Sequence, residues 1–195
     1  MRGVVPEDRG RRSPPPPSPR PVAGRPDGGG SLQRVELDQD CHVLVGRLPD
    51  ALVLEGEAFE DLWALHPERP PVIRVGPWVG PVPRWKQAYD HDYSFSGQTT
   101  SALPLPACLA PILSWARQNL DHRLSGTLVN WYDAAQGHYI GPHRDQTAGL
   151  VDASPIVTVS PGAARTLRLS RKGGDPFEIA GSGGGRNDLR VGLRW

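Results

Sequence analysis

Only two cysteines and three phenylalanines occur in the 195 residues, hydrophobic content stops at 37%, and acidic and basic side chains nearly cancel at a net +1. Each scarcity excludes something. Cys41 and Cys108 make no C-x-x-C motif, so neither a disulfide framework nor a thiolate zinc site is readable, and two isolated thiols fit a reducing, cytoplasmic setting. No apolar run approaches the roughly 20 residues that span a bilayer, and no signal-peptide core follows Met1, so a soluble chain without membrane association is expected. The small net charge removes any global case for nucleic acid and leaves room for a local basic patch. Histidine is missing after His143, the last of six.

Proline and glycine, by contrast, are abundant. Residues 1–33 carry Pro14 to Pro17, Pro19, Pro21 and Gly28 to Gly30 with arginines between them. Such a segment buries too little apolar surface to offset its ordering entropy, so it reads as a disordered tail. Its SPPPPSPRP run has the composition of a polyproline II ligand for an SH3-like groove, and a solvated tail is the plainer reading. One folded domain is expected over residues 34–195, with order beginning at Val35.

Within that domain RVELDQDCHVLVGRLP has strand-like runs on either side of an acidic turn, burying Val43, Leu44 and Val45, with His42 an ordinary strand residue. Ala58, Phe59, Leu62, Trp63 and His66 recur at helical spacing and predict a helix over Glu55 to Leu65, stopped by Pro67, Pro70 and Pro71. A second helix is expected from about Pro106 to Leu120, its regular part starting near Pro111. Strands are expected at Thr127 to Tyr132, Tyr139 to His143, Ile156 to Ser160, Thr166 to Ser170 and Phe177 to Ala180. The class is mainly β with flanking helices, an α+β chain of short strands and Gly/Pro turns. Between the helices Trp85, Tyr89, Tyr93 and Phe95 interleave with Arg84, Lys86 and His91, a composition able to stack a base and hold phosphate. The same residues read equally as a hairpin packed on the core.

The best candidate for chemistry is His143-Arg144-Asp145, preceded by Gly141-Pro142. A non-haem Fe(II) site uses two imidazoles and one carboxylate on one face of the ion. Residues i and i+2 of an extended segment project to the same side, which suits a His-x-acid pair. The spacing alone is weak, since His66-Pro67-Glu68 repeats it.

The surroundings are more specific. Asn130-Trp131-Tyr132, His143-Arg144-Asp145, PIVTVSPG from Pro155 and Arg165-Thr166-Leu167-Arg168-Leu169 follow one another in the order N-x-Y, H-x-D, P-I-x-x-V-S-x-G, R-x-F-x-L. With PRWKQAYDHDYSFSG upstream, the stretch from Pro83 to Ala180 resembles the AlkB-like 2-oxoglutarate and Fe(II)-dependent dioxygenases. That resemblance implies a double-stranded β-helix, or jelly roll, and oxidative demethylation or hydroxylation of an alkylated nucleic-acid base or a protein side chain. It implies Fe(II) on His143 and Asp145, 2-oxoglutarate on Asn130 and Tyr132, and substrate against Arg84, Trp85, Tyr89 and Tyr93.

The pattern departs from the family after about residue 181, where Gly183 to Gly185 stand in place of a strand bearing the distal histidine. The jelly roll is therefore expected to be incomplete, through a truncated or frame-altered C-terminus. Asp175, Glu178 and Asp188 are the oxygen donors left to replace the missing ligand. Arg190 and Arg194 are the expected cosubstrate arginines, although they stand closer together than those of the family's R-x-S-x-T-x-R strand. Arg165 and Arg168 are the alternatives. A non-catalytic β-sandwich binding module of the same descent remains open, as does a damaged chain whose unpaired edge invites aggregation.

Overall fold

The computed structural model describes residues 32–37, 39, 41–95, 97–143, 145, 150–170, 176–179 and 188–193. Residues 1–31, which hold the proline run, and Asp175 and Arg194 lie outside the described residues. In chain order the strands and helices are β1 (Gln33–Glu36), β2 (His42–Arg47), α1 (Glu57–Ala64), β3 (Val72–Val75), β4 (Trp78–Pro81), β5 (Trp85–Tyr89), β6 (Tyr93–Phe95), β7 (Gln98–Thr100), β8 (Ala102–Leu103), α2 (Ala110–Asn119), β9 (Thr127–Trp131), β10 (Ile156–Ser160), β11 (Leu167–Leu169), β12 (Phe177–Ile179) and β13 (Asp188–Leu193). The chain is mainly β with two short helices, and no barrel closes among the described residues. No helix among them is long and apolar enough to cross a membrane.

A four-stranded antiparallel sheet runs β1-β2-β13-β10. β13 lies between β2 and β10, with Arg190 opposite Val45 on one side and Thr158 on the other, so the segment after the glycine run does supply a strand. A second sheet runs β8-β5-β9, with β5 and β9 antiparallel and Trp85 opposite Trp131. Alternation along a strand sends successive side chains to opposite faces. Trp85, Tyr89 and Trp131 therefore share one face and enter the main core with Leu54, Leu62 and Leu109, while Lys86 and Asn130 occupy the other.

Helix α1 lays Leu62 and Trp63 on that core, and its Leu62 carbonyl accepts the Trp131 indole N–H at 2.9 Å. Helix α2 starts where Pro111 permits, because a proline in the first turn loses only an N–H that had no intrahelical partner. Ile112 packs on both cores, and Trp115 and Leu120 join Leu48, Val157 and Val159 over the four-stranded sheet. At the end of α2 the Arg123 guanidinium chelates Asp121 and also donates to the carbonyls of Asp152 and Ala153. The Arg123 side-chain bonds, with its backbone N–H, hold the Asp121 carboxyl down to about 2, and the bonds to Asp152 and Ala153 pin the chain entering β10.

Several expectations need correction. The first strand begins at Gln33, two residues before Val35, and Leu44 and Val45 are only half-buried beside the buried Val43. Tyr139 to His143 form no strand. Tyr139 donates its N–H to the Pro83 carbonyl at 2.9 Å, but Pro83 has no N–H to return, and Pro142 removes another donor, so a ladder cannot propagate. β10 matches its expected range, and Pro161 follows it, off the ladder. The next residue, Gly162, has φ +86°, and a Cβ there would lie 3.0 Å from the Phe59 ring, so the turn after β10 needs glycine on both counts.

Candidate metal and anion site

Strands β5 and β9 together build one wall of the site. Arg84 immediately precedes β5 and Tyr132 immediately follows β9, so by alternation they belong with Lys86 and Asn130 on the face away from the core. Arg84 donates Nε–H to Asn130 Oδ1 at 2.9 Å, locking the guanidinium to the opposite strand. The Lys86 ammonium lies 5.4 Å from the centre of the Tyr93 ring, and the Arg165 guanidinium 5.3 Å from that of Tyr132. Each is within cation–π range.

The chain then leaves β9 through a closed turn. Asp133 accepts the Ala135 N–H and the Gln136 amide, its carbonyl accepts the His138 N–H, and Gly137 supplies φ +65°. His138 Nδ1 accepts the Asp133 N–H, and its buried ring meets Trp85 edge-on at 4.5 Å. With the Tyr139–Pro83 bond, this turn brings the H-x-D segment back beside Arg84.

There the expected pair meets. His143 Nε2 stands 3.3 Å from Asp145 Oδ1, and both side chains are about two-fifths exposed at 39% and 43%. His143 donates Nδ1–H to the Gly141 carbonyl at 2.9 Å, which turns Nε2 toward the carboxylate, to which the protonated ring donates Nε2–H. Metal-bound histidines are commonly oriented through the second ring nitrogen in this way. Hydrogen bonding to Asp145 raises the His143 pKa above its ordinary 6.5, against an opposing effect of burial, and the same bond lowers that of Asp145. Burial raises the Tyr93 hydroxyl, and Asp145 adds to it, so this ring borders the pair as well.

The pair fits two positions of an Fe(II) site. Among the described residues no group of three or more His, Cys, Asp or Glu is assembled for a metal. Glu178 is committed to Arg168 at 2.7 Å across β11 and β12. Asp188 opens β13 opposite Ser160 and Arg47.

Proton and metal compete for the same imidazole nitrogen. Because the His143 pKa is raised, its imidazolium–carboxylate pair persists below that pKa and is lost as pH rises through it, which frees Nε2. Divalent-metal affinity is therefore expected to climb with pH through a midpoint above the ordinary 6.5. Co(II) absorption titrations at successive pH values check this, and a flat profile across neutral pH would contradict it.

Of the residues expected to hold substrate, Arg84 and Tyr93 border the pair. Trp85 and Tyr89 are 6% and 3% exposed, and they pack into the core instead. The difference is one of parity, since Arg84 and Lys86 alternate with Trp85 along the strand. Lys86, read from the sequence only as one of several basic residues among the aromatics, is a member of the site wall. Asn130 and Tyr132 are brought together with Arg84; Arg190 is placed in the middle of the four-stranded sheet. No protein-family model matches the chain, and no curated protein matches it.

Proposed function

We propose that this chain is an AlkB-type dioxygenase dependent on 2-oxoglutarate and Fe(II), built on a double-stranded β-helix whose two layers are the β1-β2-β13-β10 and β8-β5-β9 sheets. The observation that carries the proposal is the convergence of three separate segments on one place. Arg84 and Asn130, 46 residues apart, are hydrogen-bonded, and the charge of Arg84 acts on His143 of the His143–Asp145 pair.

Fe(II) with 2-oxoglutarate and O₂ as the oxidant, when bound, would supply the oxidising chemistry that removes hydrogen from a methyl C–H. The chain's own residues do the rest. His143 and Asp145 would hold the ion through one nitrogen and one carboxylate. Asn130 and Tyr132 border the cosubstrate's side of the pair. Tyr93 and Arg84 form the wall against which an alkylated nucleic-acid base, or a protein side chain, is held for oxidation. Anaerobic titration with Fe(II) and 2-oxoglutarate is expected to give the visible metal-to-ligand charge-transfer band. Its absence at millimolar cosubstrate would overturn the reading and leave a non-catalytic binding module.

A further inference from the structure

We infer that His138 is the positioning residue of the His143–Asp145 pair: its ring closes the turn that delivers the pair to the site, and does so only while uncharged. The inference rests on the proposed function only for the reading of the pair as a metal site. The locked turn itself follows from hydrogen-bond geometry.

The Asp133 N–H donates to His138 Nδ1 at 3.2 Å, and the Asp133 carbonyl takes the His138 N–H at 3.0 Å, so the two residues are tied reciprocally across the turn. A backbone amide can only donate. Nδ1 must therefore be bare, and a neutral ring carries its proton on Nε2. The ring is 8% exposed and stands edge-on to Trp85 at 4.5 Å, which leaves it little room to turn away. Trp85 is held in its turn by the His66 ring, stacked on it at 4.1 Å. From this closed turn the chain runs to the pair with one further tie, the Tyr139 N–H on the Pro83 carbonyl. Among the described residues no other backbone hydrogen bond holds residues 140–143, so the direction in which the chain leaves for His143 is set at His138 and Tyr139.

Protonation undoes the lock. An imidazolium carries N–H on both nitrogens, so Nδ1 would present a donor to the Asp133 N–H, and the bond becomes a repulsion. The charged groups facing the ring sharpen the change. The Asp133 carboxyl, held low first by the Ala135 N–H, against burial, and in part by the charge of His138, lies on the same turn and would draw an imidazolium toward itself. His66 meets the same Trp85 ring, while Arg84 and Lys86 flank Trp85 and by alternation lie on the other face of β5. A half-buried amide left without an acceptor is what native turns avoid, so the turn opens instead. The pair then loses its bearing through a residue that is no ligand itself.

Histidine ring-nitrogen NMR shifts of the full chain, with metal removed by chelation, test the lock directly. Near neutral pH His138 is expected to show a bare Nδ1 and a protonated Nε2, and its protonation in acid should shift the Asp133 amide in the same step. Co(II) titrations carry the test to the pair. His138→Phe keeps a ring against Trp85 and removes the acceptor, so metal affinity should fall about tenfold to a hundredfold, the scale for losing a residue that orients a ligand. His138→Asn restores an acceptor at the same number of bonds from the backbone and should stay within a few-fold of the parent at neutral pH. Asparagine does not protonate, so this variant should lose metal in acid with one proton fewer per ion than the parent. His143 titrates in both, and the difference isolates His138. A residue serving packing alone would give the reverse order, with phenylalanine tolerated, asparagine not, and no change in proton count. A neutral His138 with its proton on Nδ1 overturns the inference, as does parental Co(II) affinity in His138→Phe or an equal proton count in the parent and His138→Asn. If the parent binds no Co(II), the metal reading of the pair falls, while the His138 ring and the Asp133 amide still decide the lock.

Discussion

His143→Ala is expected to abolish the Fe(II)–2-oxoglutarate charge-transfer band and to weaken divalent-metal binding by at least about a hundredfold. Loss of a mere supporting partner of a metal ligand typically costs ten- to a hundredfold, and here the ligand itself is removed from a set of two among the described residues. The remaining carboxylate, Asp145, would hold the ion chiefly through charge, which water and salt screen. The fold should not notice. The imidazole is 39% exposed, and its recorded bonds are to Asp145 and to the Gly141 carbonyl, both within two residues. Exposed pairs contribute little, so unfolding by urea should shift by no more than about 0.5 kcal/mol. Loss of the band with an unchanged urea midpoint is the expected signature. A variant that keeps the band would mean that the ion sits elsewhere, and one that unfolds would mean that His143 is a structural residue.

What could be seen in advance depends on how local each signal is. β10 and both helices were legible because their apolar periodicity is contained within a few residues, and Pro111 marks the start of α2 through its own chemistry. The missing strand at Tyr139 to His143 was not legible, because the decision lies in the partner: Pro83 is 56 positions earlier and has no N–H to give. The site divides in the same way. His143 and Asp145 are two apart, so their meeting follows from local backbone geometry. The face on which Arg84, Trp85, Lys86 and Tyr89 lie depends on which side of β5 is covered by α1, and composition cannot supply that. Once Trp85 is known to face the core, parity carries Arg84 and Lys86 to the site. The run PRWKQAY held that alternation, and only the sign of the face was undetermined.

Trp131→Ala is expected to destabilise the fold by roughly 3–5 kcal/mol, the scale of a large aromatic removed from a packed core. The side chain is 4% exposed and stands opposite Trp85 across the β5–β9 pair, within the cluster formed by Leu54, Leu62 and Leu109. Its indole N–H also donates to the Leu62 carbonyl in the last turn of α1, which among the described residues otherwise takes only the Leu65 N–H at 3.3 Å. Against a total of about 5–15 kcal/mol for an ordinary domain, such a loss leaves a chain close to unfolding at room temperature. Trp131→Phe separates the two contributions. It keeps most of the ring and forfeits the hydrogen bond, so a cost of about 1–2 kcal/mol is expected from urea unfolding. The two variants should also differ at the site. Asn130 on β9 and Tyr132 just after it flank Trp131 and face the other way, so they stay in place only while Trp131 is anchored. In the phenylalanine variant the Arg84–Asn130 bond and the proposed 2-oxoglutarate binding should survive, whereas in the alanine variant both should be lost together with cooperative unfolding. An alanine variant costing less than about 1 kcal/mol would show that the core does not depend on this strand for its cohesion. The link from core packing to the placement of Asn130 and Tyr132 would then fail with it.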